Sequence, residues 1–138
     1  MIIGIAHVNL TVPPGTLEQA AEFYGNTLGF TRVAVPVLQK DSLAWFDITP
    51  KGQQIHISSN SPVPNEPTAS RHPCFKLESP EKLNELREKI WAHFESERAG
   101  KPMAADKPGD VDSGAKGVEY PTRFFARDFA GNRLEFSL

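Results

Sequence analysis

The stretch from Asn60 to Thr68 does most to limit what this chain can fold into. It carries Pro62, Pro64 and Pro67 among polar residues. Proline fixes φ and lacks a backbone donor, so this stretch is neither the interior of a strand nor a regular helix. It divides 138 residues into two parts. Each part alone has too little apolar surface for a stable core, so the two must combine into one domain. The expected boundaries are a first module at 1–59, a linker at 60–69 and a second module at 70–138.

Both parts follow the same plan. The first opens on an extended apolar stretch, Ile2 to Val12, broken by Pro13-Pro14-Gly15. A helix is expected from Thr16 to Leu28, with Thr16 as N-cap and Gln19 as its capping-box partner. Leu17, Ala20, Ala21, Tyr24 and Leu28 give that helix one apolar face, and Gly29 supplies a stop. Strands are expected at Thr31–Val35, Leu43–Ile48 and Gln53–Ser58, the last two separated by a turn at Pro50 to Gly52. The second part opens on a strand at His72–Leu77. Ser79 then caps a helix whose first residue is Pro80, with Leu83, Leu86, Ile90 and Phe94 as its stripe. A short extended segment near Lys101–Ala105 and a Gly/Asp-rich loop at Lys107–Gly117 follow. A hairpin, Tyr120–Arg127 and Arg133–Leu138, closes the chain. His7 and His72 lie 65 residues apart, and Leu17 and Leu83 lie 66 apart. The repeat is one of plan rather than of residue identity.

Side chains alternate faces along a strand. Val8, Leu10 and Val12 oppose His7, Asn9 and Thr11. Ile55 and Ile57 oppose Gln54, His56 and Ser58. Phe75 and Leu77 oppose His72, Cys74 and Lys76. Leu134, Phe136 and Leu138 oppose Arg133, Glu135 and Ser137. Four strands thus carry an apolar face for helices to cover and, on the other face, His7, His56, His72 or Glu135. Imidazole and carboxylate are the usual ligands of Zn²⁺, Fe²⁺, Mn²⁺, Ni²⁺ and Co²⁺. Two His and one carboxylate can hold one face of an octahedral ion and leave positions open for substrate. Glu135 next to Arg133 and Arg127 also fits a cross-strand ion pair. His93, on the second helix beside its stripe, reads as structural.

Other function classes are disfavoured. The formal net charge of −2 gives no general grip on nucleic acid. The single cysteine, Cys74, excludes an internal disulfide framework and a Cys-rich zinc site. No apolar run approaches the roughly 20 residues that span a bilayer, and no signal peptide is apparent. A cytoplasmic protein without membrane or nucleic-acid partners is expected.

Three segments carry a family resemblance: Ile5-Ala6-His7-Val8-Asn9-Leu10-Thr11-Val12, Ala21-Glu22-Phe23-Tyr24-Gly25-Asn26-Thr27-Leu28-Gly29-Phe30, and Phe125-Ala126-Arg127-Asp128-Phe129-Ala130-Gly131-Asn132-Arg133-Leu134-Glu135-Phe136. Together they resemble the vicinal oxygen chelate superfamily, which includes glyoxalase I, methylmalonyl-CoA epimerase, extradiol dioxygenases, fosfomycin-resistance enzymes and bleomycin-binding proteins. The resemblance implies an α+β fold of two βαβββ modules, forming a curved mixed sheet around a cup with the helices on its outer face. It also implies metal ligands at His7, His72 and Glu135. His56 falls where glyoxalases and epimerases usually carry Glu or Gln, and is expected as a fourth ligand, a general base or a supporting donor. Phe129 stands where the family's hairpin usually has Pro.

The implied activity is that of a glyoxalase-type lyase or isomerase, in which a divalent ion binds two adjacent substrate oxygens. Glu135 and His56 are the candidate catalytic bases. Asn9, Thr11, Arg123 and Phe125 are the candidate substrate-binding residues, and Trp45 is a further residue able to shape the cup. Arg123 and Arg127 fit binding of a carboxylate or phosphate. An Fe²⁺-dependent extradiol-type dioxygenase and a non-catalytic, antibiotic-like binding protein are the alternatives. The short chain favours the first or the last, and the retained ligands speak against the last. The expected partner is a small-molecule substrate, with a homodimer as a further possibility.

Overall fold

The computed structural model of the chain describes residues 1–50, 52–59, 65–117 and 122–138. Lys51 of the expected turn, Pro62 and Pro64 of the linker, and Tyr120 at the start of the hairpin lie outside the described residues. The strands are β1 (His7–Thr11), β2 (Thr31–Val33), β3 (Leu43–Asp47), β4 (Gln54–Ser58), β5 (Cys74–Lys76), β6 (Ala104–Ala105), β7 (Arg123–Arg127) and β8 (Arg133–Ser137). They form two four-stranded mixed sheets, ordered β1-β4-β3-β2 and β5-β8-β7-β6. In each sheet the first strand of its half runs parallel to the last, and the remaining neighbours are antiparallel. The fold is therefore α+β. Hydrogen bonding produces two sheets rather than a single continuous one.

β1 is shorter than its apolar run. Its partner β4 offers only five residues, and the pairing ends where Gln54 N donates to Ala6 O and Val12 N donates to Ser58 O. Ile2, Ile3 and Ile5 accordingly stay exposed ahead of the sheet. The first helix also departs from expectation. It is α-helical only over Leu17–Ala20 (α1) and continues as a π-helical stretch, Ala21–Thr27. Leu28 N donates to Phe23 O in the wider i→i+5 pattern. The wider turn buries Phe23 and Thr27 beside the expected Tyr24, and leaves the expected Ala21 and Leu28 only half-buried against the core. The expected capping box is absent, because the Thr16 hydroxyl donates to Pro13 O instead. Gly29 ends the helix with φ at 82°. The second helix, α2 (Pro80–Phe94), starts as expected, with Ser79 Oγ accepting from Lys82 N.

One apolar core serves both halves. Leu17, Phe23, Tyr24, Phe46, Ile55 and Ile57 pack with Leu83, Ile90, Phe124, Leu134 and Phe136. Buried polar contacts join the halves as well. Tyr24 Oη donates to Asp128 Oδ2 at 2.7 Å, and Asn132 Nδ2 donates to the Thr11 carbonyl at 2.9 Å. Asp128 also accepts from the backbone N–H groups of Ala130 and Asn132 and from Asn132 Nδ2. The Asp-x-x-Gly-Asn turn is thus a structural latch that holds the second hairpin on β1. His93 is fully buried in the same region. Its Nε2 donates to Ala99 O, so Nδ1 accepts from the Thr27 hydroxyl.

Candidate functional site

The register of the two sheets sets matching residues in matching places. In the first sheet His56 on β4 lies between Trp45 on β3 and Asn9 on β1. In the second Glu135 on β8 lies between Phe125 on β7 and Cys74 on β5. His7 stands two residues before Asn9, and His72 two before Cys74. Each sheet therefore bears an aromatic residue, a central ligand-type residue and a histidine at the mouth of its first strand. The apolar side of the same strands carries Ile55, Ile57, Leu134 and Phe136 into the core.

In the first sheet the three rings form a ladder. Trp45 stacks on His56 at 4.5 Å, and His56 stacks on His7 at 3.9 Å. Asp47 and Gln54 brace the middle ring. Gln54 Nε2 donates to Asp47 Oδ1 at 2.7 Å, which leaves Gln54 Oε1 as the acceptor facing His56 Nε2 at 2.8 Å. The His56 proton is thereby fixed on Nε2, and Nδ1 carries the lone pair. Burial, followed by the neighbouring His7, holds the His56 pKa below its ordinary value. Trp45 Nε1 is buried without an acceptor among the described residues.

The second sheet is built on charge. His72 Nδ1 contacts the Ser70 carbonyl, which can only accept, so this nitrogen bears a proton. Its Nε2 faces Glu135 Oε2 at 2.8 Å. In the neutral ring that places two lone-pair donors against one another. Such a contact is favourable only with a second proton or a cation between them. Arg123 Nη1 donates to Glu135 Oε1 at 3.2 Å, with both side chains about one-tenth exposed. Arg123 is also held by the Ala115 carbonyl and lies 3.7 Å from Asp112. The ion-pair partner of Glu135 is therefore Arg123, and not Arg133 or Arg127 as their adjacency suggested. Phe125 lies at the centre of this face, with the His72 ring edge-on at 5.6 Å and the Arg133 guanidinium carbon over its ring at 4.3 Å.

The loop after β6 leans on the same face. Asp106 Oδ2 accepts from the N–H groups of Ser113 and Phe125. A side chain at Gly114 would collide with the Phe125 ring and the Arg123 guanidinium. The 107–117 loop is thus tied down on the residues that support Glu135.

The structure brings His7 together with His56, and His72 together with Glu135. Among the described residues no three His, Cys, Asp or Glu side chains converge to hold a metal ion. The substrate-binding candidates divide similarly. Asn9 donates to Ser58 Oγ, and the Thr11 hydroxyl donates to Asn65 Oδ1. Arg123 is taken up by Glu135, whereas Phe125 forms the floor. Sequence reasoning missed Gln54 and Asp47 as the brace of His56. Face alternation had already set Gln54 beside His56, but the amide's role depends on Asp47 across the strand pair.

The Glyoxalase/Bleomycin resistance protein/Dioxygenase superfamily profile matches residues 4–136. A glyoxalase family protein from Bacillus anthracis is 28% identical, with a TM-score of 0.68 over 99% of this chain and 94% of its own. A glyoxalase/dioxygenase from Nostoc punctiforme is 22% identical, with a TM-score of 0.66 over 96% and 88% of the two chains. A variant of the fosfomycin resistance protein FosX from Listeria monocytogenes is 18% identical, with a TM-score of 0.66 over 99% and 93%. That FosX structure is a complex with Mn(II) and 1S,2S-dihydroxypropylphosphonic acid. No curated protein matches the chain. Among the described residues no helix is long and apolar enough to cross a membrane.

Proposed function

This chain belongs to the Glyoxalase/Bleomycin resistance protein/Dioxygenase superfamily, and from that premise we propose that it is a divalent-metal-dependent enzyme of the glyoxalase type. Its substrate would be a small molecule with vicinal oxygens, and its reaction a lyase or isomerase step. The observation that carries this reading is the Nε2 to Oε2 contact of His72 and Glu135 at 2.8 Å. It aligns two ligand atoms and leaves a cation as one way to reconcile them. The donor set fits Zn²⁺, Ni²⁺, Co²⁺, Mn²⁺ or Fe²⁺, and the Mn(II) of the FosX complex makes Mn²⁺ the first ion to try.

His72 through Nε2 and Glu135 through its carboxylate would hold the ion from the second sheet. His7 and His56, the latter through Nδ1, would complete the set from the first. When bound, the ion polarises the two substrate oxygens and stabilises negative charge that develops there. Gln54 and Ser70 keep the ring protons of His56 and His72 on the nitrogens turned away from the ion. His56 then offers a lone pair without first losing a proton, and His72 does so once the proton between it and Glu135 gives way to the ion. Arg123 keeps Glu135 oriented through Oε1. Glu135 and His56 Nδ1 are the groups proposed to accept and return the substrate proton.

Each sheet bears one pair of the proposed ligands, and a second copy of the chain is the partner proposed to bring a first-sheet pair to a second-sheet pair. The exposed Ile2, Ile3 and Ile5 ahead of His7 support this, since they offer apolar surface for a copy to cover. Calorimetric titration of chelator-treated protein with Mn²⁺, Zn²⁺, Ni²⁺, Co²⁺ and Fe²⁺ tests the metal reading. Saturable binding of about one ion per chain is expected, and no binding of any ion overturns it. Mixing the His7→Ala and Glu135→Ala chains under exchange conditions tests the partner. Recovery of part of the metal binding is expected, and no recovery excludes a site shared between copies.

A further inference from the structure

We propose that the ligand-bearing face of the β7–β8 hairpin is also a recognition site for a small oxyanion, with Arg133 as the guanidinium that grips it. Resting on the function proposed above, the substrate then carries an acidic group, carboxylate or phosphate-like, apart from the oxygens offered to the metal site.

The argument begins with charge. Three arginines, Arg123, Arg127 and Arg133, share this face with Phe125. Arg123 is compensated by Glu135 and Asp112. Arg127 spends its donors on the neutral carbonyls of Gly131 and Ala69, at 2.9 and 3.0 Å. Those bonds fix its position but leave its charge uncancelled. Arg133 Cζ sits over the Phe125 ring, 4.3 Å from its centroid. The ring contact is no hydrogen bond and takes up none of the guanidinium's five N–H donors, which a planar oxyanion matches in pairs. Among the described residues no carboxylate pairs with Arg127 or Arg133. The two stand directly opposite one another in the hairpin register, and like charges so placed repel. Burial and then the charge of Arg133 hold the Arg127 pKa below its ordinary value. A bound anion would offset that repulsion.

The shape agrees. Arg71, Arg127 and Arg133 line a cavity of 670 Å³ together with His72, Asn9 and Asn132. Sites for small ligands commonly measure roughly 300–1,000 Å³. Among the described residues Glu66 is the one carboxylate in that lining, and it accepts from the N–H and hydroxyl of Thr68. Because His72 belongs to the same lining, an anion on Arg133 sits in the cavity that leads to the proposed metal ligands. Planar guanidinium recognises carboxylate and phosphate alike through paired N–H···O bonds, so the shared chemistry is the oxyanion itself.

The test uses the full-length, chelator-treated protein, so that it does not depend on metal. Inorganic phosphate and, separately, acetate are titrated while the Arg Nε resonances are followed by NMR and the heat of binding by calorimetry. A saturable shift of the Arg133 Nε signal is expected with at least one of them. Phosphate alone would point to a phosphate-like substrate group, and acetate alone to a carboxylate. Arg133→Gln should weaken that binding about tenfold or more, the loss of a charge-assisted pair. Arg133→Lys, which keeps the charge and the fold but not the fork, should fall between the two. No saturable shift at Arg133 with either anion, or affinities unchanged in both variants, overturns the proposal. That failure would leave the metal titration untouched, so the two readings fail separately.

Discussion

The two sheets place their ligand-type residues by the same register yet hold them by different means. On the first, His56 is sandwiched between two parallel rings, with His7 at 3.9 Å and an interplanar angle of 9°. On the second, Glu135 is gripped by Arg123 and faces the His72 nitrogen directly. The difference lies in preorganisation. Imidazole lone pairs lie in the ring plane, so two rings stacked in parallel cannot aim both at one ion. One of them must tilt out of the ladder to bind. The His72–Glu135 pair already converges. The repeated plan has thus kept the positions and changed the contacts: a carboxylate–imidazole pair that converges on one side and a stacked imidazole pair on the other.

The largest expected effect breaks that contrast. Glu135→Ala or His72→Ala should remove metal binding, a loss beyond the roughly 10–100-fold that follows from disturbing a ligand's supporting partner. Gln54→Leu should fall within that supporting range, because it frees the His56 tautomer without removing a ligand. Calorimetric titration ranks them, and equal losses in all three variants would sink the division of roles. The ladder provides an optical signal too. Trp45 fluorescence should change on metal addition in a Trp91→Phe background, and His56→Ala should abolish the change.

How much of this was legible in the sequence depends on how local each feature is. The ligand faces follow from the period of two along a strand, so His7, His56 and Glu135 could be assigned to one side of their strands from the chain alone. The start of α2 follows from Ser79-Pro80, a signal contained within one turn. The π-helical stretch does not follow in this way, because its wider turn serves Phe23, Tyr24 and Thr27, which pack against residues distant in sequence. The partner of Glu135 was misread for a similar reason. Arg133 and Arg127 are its neighbours by sequence and face, but Arg123 is the one swung towards it, with the 107–117 loop behind. The meeting of His72 with Glu135 needed β5 to lie parallel against β8, a contact between residues 63 apart.

A smaller effect separates the buried histidine from the histidines proposed as ligands. His93 has its pKa held below the ordinary 6.5, chiefly by burial. His56 shifts in the same direction. Below pH 6.5 the unfolded chain takes up protons that these folded rings resist. Their stabilising contribution is therefore complete above about pH 6.5 and is lost as pH falls through the lower folded values. A charged His93 would take away the acceptor of the Thr27 O–H and place a second cation beside Arg98. Thermal melts from pH 7.5 down to 5.5 should show falling stability, with a shallower slope in His93→Gln. Metal binding by that variant should match the parent, since His93 lies in the core. An unchanged slope would remove His93 from the account.

The smallest effect tests whether the two halves also differ in how their helices start. Ser79 has extended backbone, with φ −156° and ψ 162°, and its hydroxyl oxygen accepts from Lys82 N at 3.3 Å. Pro80 follows at the position where a missing N–H costs nothing. Ser79→Ala should therefore cost about 1 kcal/mol. Thr16 adopts φ −111° and ψ 21° and makes no side-chain bond to its helix. Its hydroxyl instead donates back to Pro13 O, at an exposed site. Thr16→Ala should cost about 0.5 kcal/mol or less, the range of a surface change away from a cap. Urea unfolding of the two variants with matched slopes reads the difference directly. Equal losses would mean that Thr16 caps its helix in solution after all. The first helix would then owe less of its order to Phe23 and Tyr24, whose burial in the shared core otherwise stands in for the missing cap.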